Sequence, residues 1–130
     1  MKLKTIRQSA TFGASPQEVY EALMDSRKHS KFTEAGASIS REVGGTFTAY
    51  DGYAEGVNLE LVKDKKIVQK WRADDWPEGH CSTVTFELEK AGAGTKMKFT
   101  QTGVPQGQYE SISSGWVEHY WDKMRKMLEK

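Results

Sequence analysis

The sequence predicts an α+β fold: an antiparallel sheet of about seven strands with one face covered by a long C-terminal helix, in the order β-α-(α)-β6-α. Three observations predict it. A helix-start signal, Ser15-Pro16-Gln17-Glu18, follows a first apolar segment. The stretch 35–102 is a succession of short apolar-polar segments divided by glycine pairs and charged turns, the pattern of a strand meander. From Tyr109 onward the apolar residues recur at steps of three and four, the helical period.

Each element follows in order. Met1 to Phe12 reads as a strand carrying Leu3, Ile6 and Phe12 among polar residues. Ser15 is an N-cap, Pro16 occupies the first helical position and Glu18 completes a capping box. Val19, Tyr20, Leu23 and Met24 then give the apolar face of a helix over 16–25, and Ser26 to Phe32 supplies a second helical turn or two. Gly44-Gly45 separates strands 38–43 and 46–53 as a tight hairpin. Gly56 precedes the alternating run 57–61, and Lys63-Asp64-Lys65 turns into the strand 66–73. Val84, Phe86 and Leu88 alternate with Thr85 and Glu87, and Gly92-Ala93-Gly94 turns into 95–102. Sequential pairing makes the sheet antiparallel. Past Gly103-Val104-Pro105, Tyr109, Ile112, Trp116, Tyr120, Met124 and Met127 form one stripe. Lys123, Arg125, Lys126 and Lys130 gather in the last turns, where cations suit the helix dipole. Gly115 sits inside this helix at a cost of about 1 kcal/mol against Ala, and a close approach to the sheet would account for it.

Length and charge bound the function. The 130 residues suit one domain, 1–130, with no linker or repeat. With 19 basic and 18 acidic residues interspersed along the chain, there is no basic face of the kind that grips nucleic acid. No run approaches the roughly 18 apolar residues of a membrane span. The N-terminus lacks the apolar stretch of a secretory signal, and the single Cys81 excludes an internal disulfide. A soluble cytoplasmic protein is the expectation.

Catalytic and cofactor chemistry finds little footing. His29, His80 and His119 lie in three different elements, without HExxH or CxxC spacing, so no metal site is expected. Neither GxGxxG nor GxxxxGK[ST] occurs, and no cofactor is expected. His80 and Cys81, adjacent at a strand start, would point to opposite faces rather than act as base and nucleophile. An enzyme would need a positioned acid or base, for which Asp74, Asp75 and His80 are the candidates.

The aromatic set says more. Trp71, Trp76, Trp116 and Trp121 accompany Phe47, Tyr53, Phe86, Phe99, Tyr109 and Tyr120. Three readings stay open: a core of large rings, a cavity between sheet and helix that holds an apolar ligand, or a partner surface. In the cavity reading Phe47, Trp71, Phe86, Phe99, Trp116 and Tyr120 bind the ligand, with Arg72 and His80 at a polar mouth.

Several stretches carry a family likeness. They are Phe12-Gly13-Ala14-Ser15-Pro16-Gln17-Glu18-Val19-Tyr20, His29-Ser30-Lys31-Phe32-Thr33, Gly44-Gly45-Thr46-Phe47 with Asp51-Gly52-Tyr53, Val68-Gln69-Lys70-Trp71-Arg72, Trp76-Pro77-Glu78-Gly79-His80 and Gly115-Trp116-Val117-Glu118-His119-Tyr120-Trp121. Together they resemble the C-terminal domain of the heat-shock-protein-90 ATPase activator, within the START-like (Bet-v-1-like, SRPBCC) superfamily. The resemblance implies a helix-grip fold, often with a cavity between sheet and helix, and it carries over no shared catalytic residue. It implies two roles: a non-enzymatic module for a small hydrophobic ligand, or a co-chaperone that engages HSP-90 and modulates its ATPase. In the two-domain activator a separate N-terminal domain makes the main chaperone contact, and these 130 residues are expected to lack it. A cyclase- or hydrolase-like enzyme is the third class found in the superfamily.

Overall fold

The helix-start signal at Ser15 folds as its chemistry dictates. In the computed structural model, which describes residues 2–129, the Ser15 hydroxyl accepts from the Glu18 backbone N–H at 3.2 Å, and the Glu18 carboxylate accepts from the Ser15 N–H at 3.1 Å. Met1, in the expected first strand, and Lys130, among the expected terminal cations, lie outside the described residues. α1 (Pro16–Met24) ends one residue before the expected Asp25. Asp25 is extended (φ −87°, ψ 120°), and its carboxylate caps α2 (Ser26–Thr33) by accepting from the Lys28 N–H at 2.9 Å.

Seven strands form one antiparallel sheet: β1 (Leu3–Phe12), β2 (Ser38–Ile39), β3 (Thr46–Ala49), β4 (Ala54–Val62), β5 (Lys66–Ala73), β6 (Ser82–Ala91) and β7 (Gly94–Pro105). Their order is β1-β7-β6-β5-β4-β3-β2. Purely sequential pairing therefore fails at one place. β1 lies beside β7, from Leu3 opposite Pro105 to Phe12 opposite Thr95, because α1 and α2 carry the chain from one edge of the sheet to the other.

The edge beyond β4 differs most from expectation. The strand expected over 38–43 shortens to two residues, and Gly44-Gly45 closes a wider loop than a tight hairpin. The buried Asn58 amide donates to the carbonyls of Ser40 (2.7 Å) and Glu42 (3.0 Å), so that loop satisfies its polar groups without strand pairing. The strand expected over 46–53 breaks after Ala49 into a left-handed turn, with φ of 52° at Tyr50, 56° at Asp51 and 95° at Gly52. Asp51 holds the turn from both sides. Its N–H donates to the Gly36 carbonyl at 3.0 Å and its carboxylate accepts from the Gly36 N–H at 2.6 Å.

After a 3₁₀ turn (Gln106–Gln108), the C-terminal helix runs as α3 (Tyr109–Trp116), a π-helical turn (Val117–Trp121) and α4 (Asp122–Leu128). The junction residues keep right-handed helical angles, so the helix is continuous. The stripe explains the π turn. Ile112, Trp116, Tyr120 and Met124 are all buried and step by four, and on an α-helix each such step rotates the stripe by roughly 40°. The wider π turn takes that rotation back, and the neighbouring Trp121 is buried as well. The sheet gripping this helix is the helix-grip arrangement that the family likeness implies.

The core lies between one sheet face and the three helical segments. Its large members are rings: Phe99 is 4.6 Å from Trp116 and 5.2 Å from Trp121, centroid to centroid, and Trp116 stacks on Trp121 at 5.5 Å. A buried relay satisfies the polar atoms among them. Trp116 Nε1–H donates to Gln101 Oε1 (2.7 Å), Gln101 Nε2–H to Ser82 Oγ (2.9 Å), and Ser82 O–H to the Trp71 carbonyl (2.9 Å). Trp121 Nε1–H donates to Gln8 at 2.7 Å, and Gln8 donates in turn to the Ser113 carbonyl at 2.9 Å. Truncating Gln101 to Ala should cost about 2–4 kcal/mol, since it leaves a cavity and orphans the Trp116 N–H. Urea unfolding measures this, and a loss below about 1 kcal/mol would show that the relay matters little.

Candidate functional site

Where the helix leaves the sheet edge, the left-handed turn and α3 enclose a half-open cleft of about 420 Å³. It is lined by Tyr50, Tyr53 and Ala54 on one side, Trp71 at the sheet, and Ser111, Ile112, Gly115, Trp116, His119 and Tyr120 on the helix. The Tyr50 hydroxyl donates to the His119 carbonyl at 2.6 Å and ties the two walls together. Beneath lies a second, enclosed space of about 20 Å³, bordered by Phe47, Phe86, Gln69 and His29 among others. That is room for one water-sized group and no more. Trp71, Trp116 and Tyr120 border both spaces and form the partition between them.

The expected binding residues therefore divide. Trp71, Trp116 and Tyr120 reach the cleft, Phe47 and Phe86 face the small inner space, and Phe99 lines neither, being fully buried among other rings. Arg72 and His80 line neither space. The Arg72 guanidinium donates to the carbonyls of Pro77 (3.0 Å), Trp76 (3.0 Å) and His80 (3.3 Å) and so braces the loop after β5. The His80 Nε2–H donates to the Gly103 carbonyl at 2.8 Å. Asp74 and Asp75 are exposed in that loop, outside the cleft lining. Among the described residues no group of three or more His, Cys, Asp or Glu gathers as a metal site, and no helix is long and apolar enough to cross a membrane.

Sequence reasoning named Tyr53 only within the wider ring set and missed Tyr50, Ala54, Ser111, Ile112, Gly115 and His119 as lining residues. Gly115 carried a signal, misassigned to close packing. A Cβ built there meets nothing nearer than His119 Cδ2 at 3.9 Å, so the helix does not need glycine to approach the sheet. What the missing side chain leaves is the floor of the cleft.

Burial sets the chemistry of the polar groups. It pushes the Tyr50 phenol up to about 12, with Glu34 adding to the effect, and it pushes the Tyr53 and Tyr120 phenols up as well. All three are neutral donors at physiological pH. Behind Tyr120 lies His29, buried between two partners: Nδ1 is 3.2 Å from the Leu23 carbonyl and Nε2 is 2.9 Å from the Tyr120 hydroxyl. A carbonyl can only accept, so Nδ1 carries the proton and Nε2 accepts from the tyrosine O–H. Desolvation brings the His29 pKa down to about 4 against the weaker opposing effect of the Leu23 bond, and the ring is neutral. The cleft thus offers aromatic faces, apolar surface and hydroxyl donors, with no carboxylate, lysine or arginine in its wall.

Comparison with known proteins gives the geometry a context. The family model described as activator of Hsp90 ATPase homolog 1-like protein matches residues 13–129. The activator of 90 kDa heat shock protein ATPase homolog of Dictyostelium discoideum is 33% identical over 123 residues, 94% of this chain and 32% of that protein. Human activator of 90 kDa heat shock protein ATPase homolog 1 is 33% identical over 116 residues, 89% of this chain and 34% of that one. The chain thus spans about a third of the length of these curated relatives. The crystal structure of an HSP90 activator from Plasmodium falciparum superimposes with a TM-score of 0.91 at 26% identity, covering 96% of both chains.

Because folding lowers the His29 pKa from 6.5 to about 4, the unfolded chain takes up the proton first as pH falls. The stability due to neutral His29 is complete above about pH 6.5 and is lost as pH drops toward 4, by about 3 kcal/mol in all. Chemical denaturation between pH 7.5 and 4 should show this loss, and His29→Gln should flatten the profile in that window. An unchanged slope in the variant would assign the pH dependence to the carboxylates instead.

Proposed function

The chain belongs to the activator of Hsp90 ATPase homolog 1-like family, and from that premise we propose that it is a non-enzymatic binding module whose outer cleft takes a small hydrophobic ligand. The observation that carries this reading is Gly115. A glycine inside a helix costs about 1 kcal/mol relative to alanine, packing does not require it here, and its effect is to keep open a cleft walled by five aromatic rings. The volume of about 420 Å³ falls within the usual range of ligand pockets. The inner space, at about 20 Å³, is too small to be the site without movement of its walls. The cleft wall carries one imidazole, His119, and one serine hydroxyl, Ser111, eight residues apart on the helix and with no carboxylate beside them, which supports binding over catalysis.

Two variants of Gly115 test this together. Gly115→Ala should raise stability by about 0.5–1 kcal/mol in thermal or urea unfolding. Gly115→Leu should fill the cleft while circular dichroism reports an intact fold. Wild-type protein should bind the neutral probe Nile red and enhance its fluorescence, and Gly115→Leu should lose that binding. Equal probe binding by a folded Gly115→Leu variant would exclude this cleft.

A second reading, a co-chaperone that binds HSP-90 and modulates its ATPase, is favoured by the relatives. The Plasmodium falciparum chain described as an HSP90 activator has the same extent as this one, with 96% of it covered. Pull-down with the host's 90-kDa chaperone, together with its ATPase rate with and without this chain, tests that reading. A complex and a changed rate are expected if it holds, and neither if it does not.

A further inference from the structure

The cleft also has a charge preference, and the inference drawn from it rests on the ligand-binding reading above. Five of its ten lining residues are aromatic: Tyr50, Tyr53, Trp71, Trp116 and Tyr120. Their planes differ, at 71° for Tyr53 against Trp71, 46° for Trp71 against Trp116 and 62° for Tyr50 against Tyr120. Neighbouring rings are thus inclined to one another and do not stack as a slab. The face of an aromatic ring is the negative pole of its quadrupole, so a ring attracts a cation brought over its face within about 6 Å, and a lining rich in rings favours a cation. The lining holds no lysine or arginine, and its one basic side chain is the His119 imidazole on the helix.

The rim adds charge of the same sign. The Asp74 N–H donates to the Tyr53 carbonyl at 2.8 Å, which fixes the acidic Asp74-Asp75 pair against that wall. The Asp75 carboxylate accepts from Gln108 at 3.4 Å, just before α3 begins, and so stands between the tyrosine wall and the helix wall. After burial, the larger cause, Asp75 and Asp74 are what raise the Tyr53 phenol, and Glu34 at the end of α2 does the same to Tyr50. All three acids are exposed, and none forms an ion pair among the described residues. The cation nearest in sequence to the Asp74-Asp75 pair, Arg72, is committed to Glu55 at 3.8 Å and to the loop carbonyls, whereas Glu34 shares a surface depression with Lys31, Lys123 and Lys126, so the aspartate pair supplies most of the negative charge at the rim.

We infer that the cleft selects an organic cation: a small molecule whose tertiary or quaternary ammonium head sits among the tyrosine and tryptophan faces while an aromatic or branched-alkyl body covers Ile112 and Gly115. A quaternary ammonium suits such a site because it has no N–H to leave unsatisfied, and Tyr53 and Ser111 remain free to meet a polar substituent.

The test compares benzyltrimethylammonium with neopentylbenzene, its neutral isostere with carbon in place of nitrogen. Each is titrated into the protein while the amide NMR shifts of Gly115 and His119 are followed. The cation should bind roughly fivefold or more tightly than the isostere. That advantage should shrink as salt rises, and again in the Asp74→Asn, Asp75→Asn, Glu34→Gln triple variant, whose changes are on the surface. Equal or tighter binding of neopentylbenzene at the same amides would overturn the charge preference and leave the cleft as a hydrophobic site. If neither compound moves those amides, this inference falls together with the reading it rests on.

Discussion

An indole ring buried between sheet and helix needs an acceptor for its N–H in a place that has excluded water. Trp116 and Trp121 meet this need with Gln101 and Gln8, two glutamines on the sheet face that otherwise carries Ile6, Ala10, Val84, Phe86 and Phe99. Ile6 lies opposite Gln101 and Gln8 opposite Phe99, so the pairing of β1 with β7 decides where both acceptors stand. A one-residue slip of either strand would turn its glutamine to the outer face. The register of the first and last strands and the docking of the C-terminal helix are thus one constraint.

Two irregular segments follow from that docking. The helix must bury Trp116, Tyr120, Trp121 and Met124 on one side, and the π turn lets it do so. Opposite it, the chain after β3 turns left-handed through Tyr50 and Asp51, a conformation that costs non-glycine residues energy. The Asp51–Gly36 contacts and the Tyr50 bond to His119 hold it there. Such irregularities concentrate at functional sites, and here both border the same cleft. Tyr120, in the partition, is fixed from behind by a neutral, buried His29.

This arrangement places the cleft at the edge of the helix–sheet interface. The centre is filled by rings, which supply much of the burial a chain of this size needs. In a family whose curated members are named as activators of a chaperone ATPase, this chain carries a half-open cleft of about 420 Å³. A ligand in that cleft would contact Trp116 and Tyr120 directly, and through them the packing of the helix that defines the fold.

The sequence by itself determined what depends on neighbours a few residues away. The capping box at Ser15, the apolar stripe from Tyr109 to Met127, the turns at Lys63–Lys65 and Gly92–Gly94, and the α+β class are all local patterns, and each was legible. So were Trp116 and Tyr120 as rings on the helix's buried face, because their spacing in the stripe fixes that face. Tertiary structure decided the rest. The pairing of β1 with β7 joins residues 83 to 102 positions apart, and the bond from Tyr50 to His119, which ties the two walls of the cleft together, spans 69. Gly115 shows the limit most directly. Its cost to the helix is written in the sequence, but whether the missing Cβ would meet a strand or open space depends on where the helix comes to rest, which no local pattern encodes.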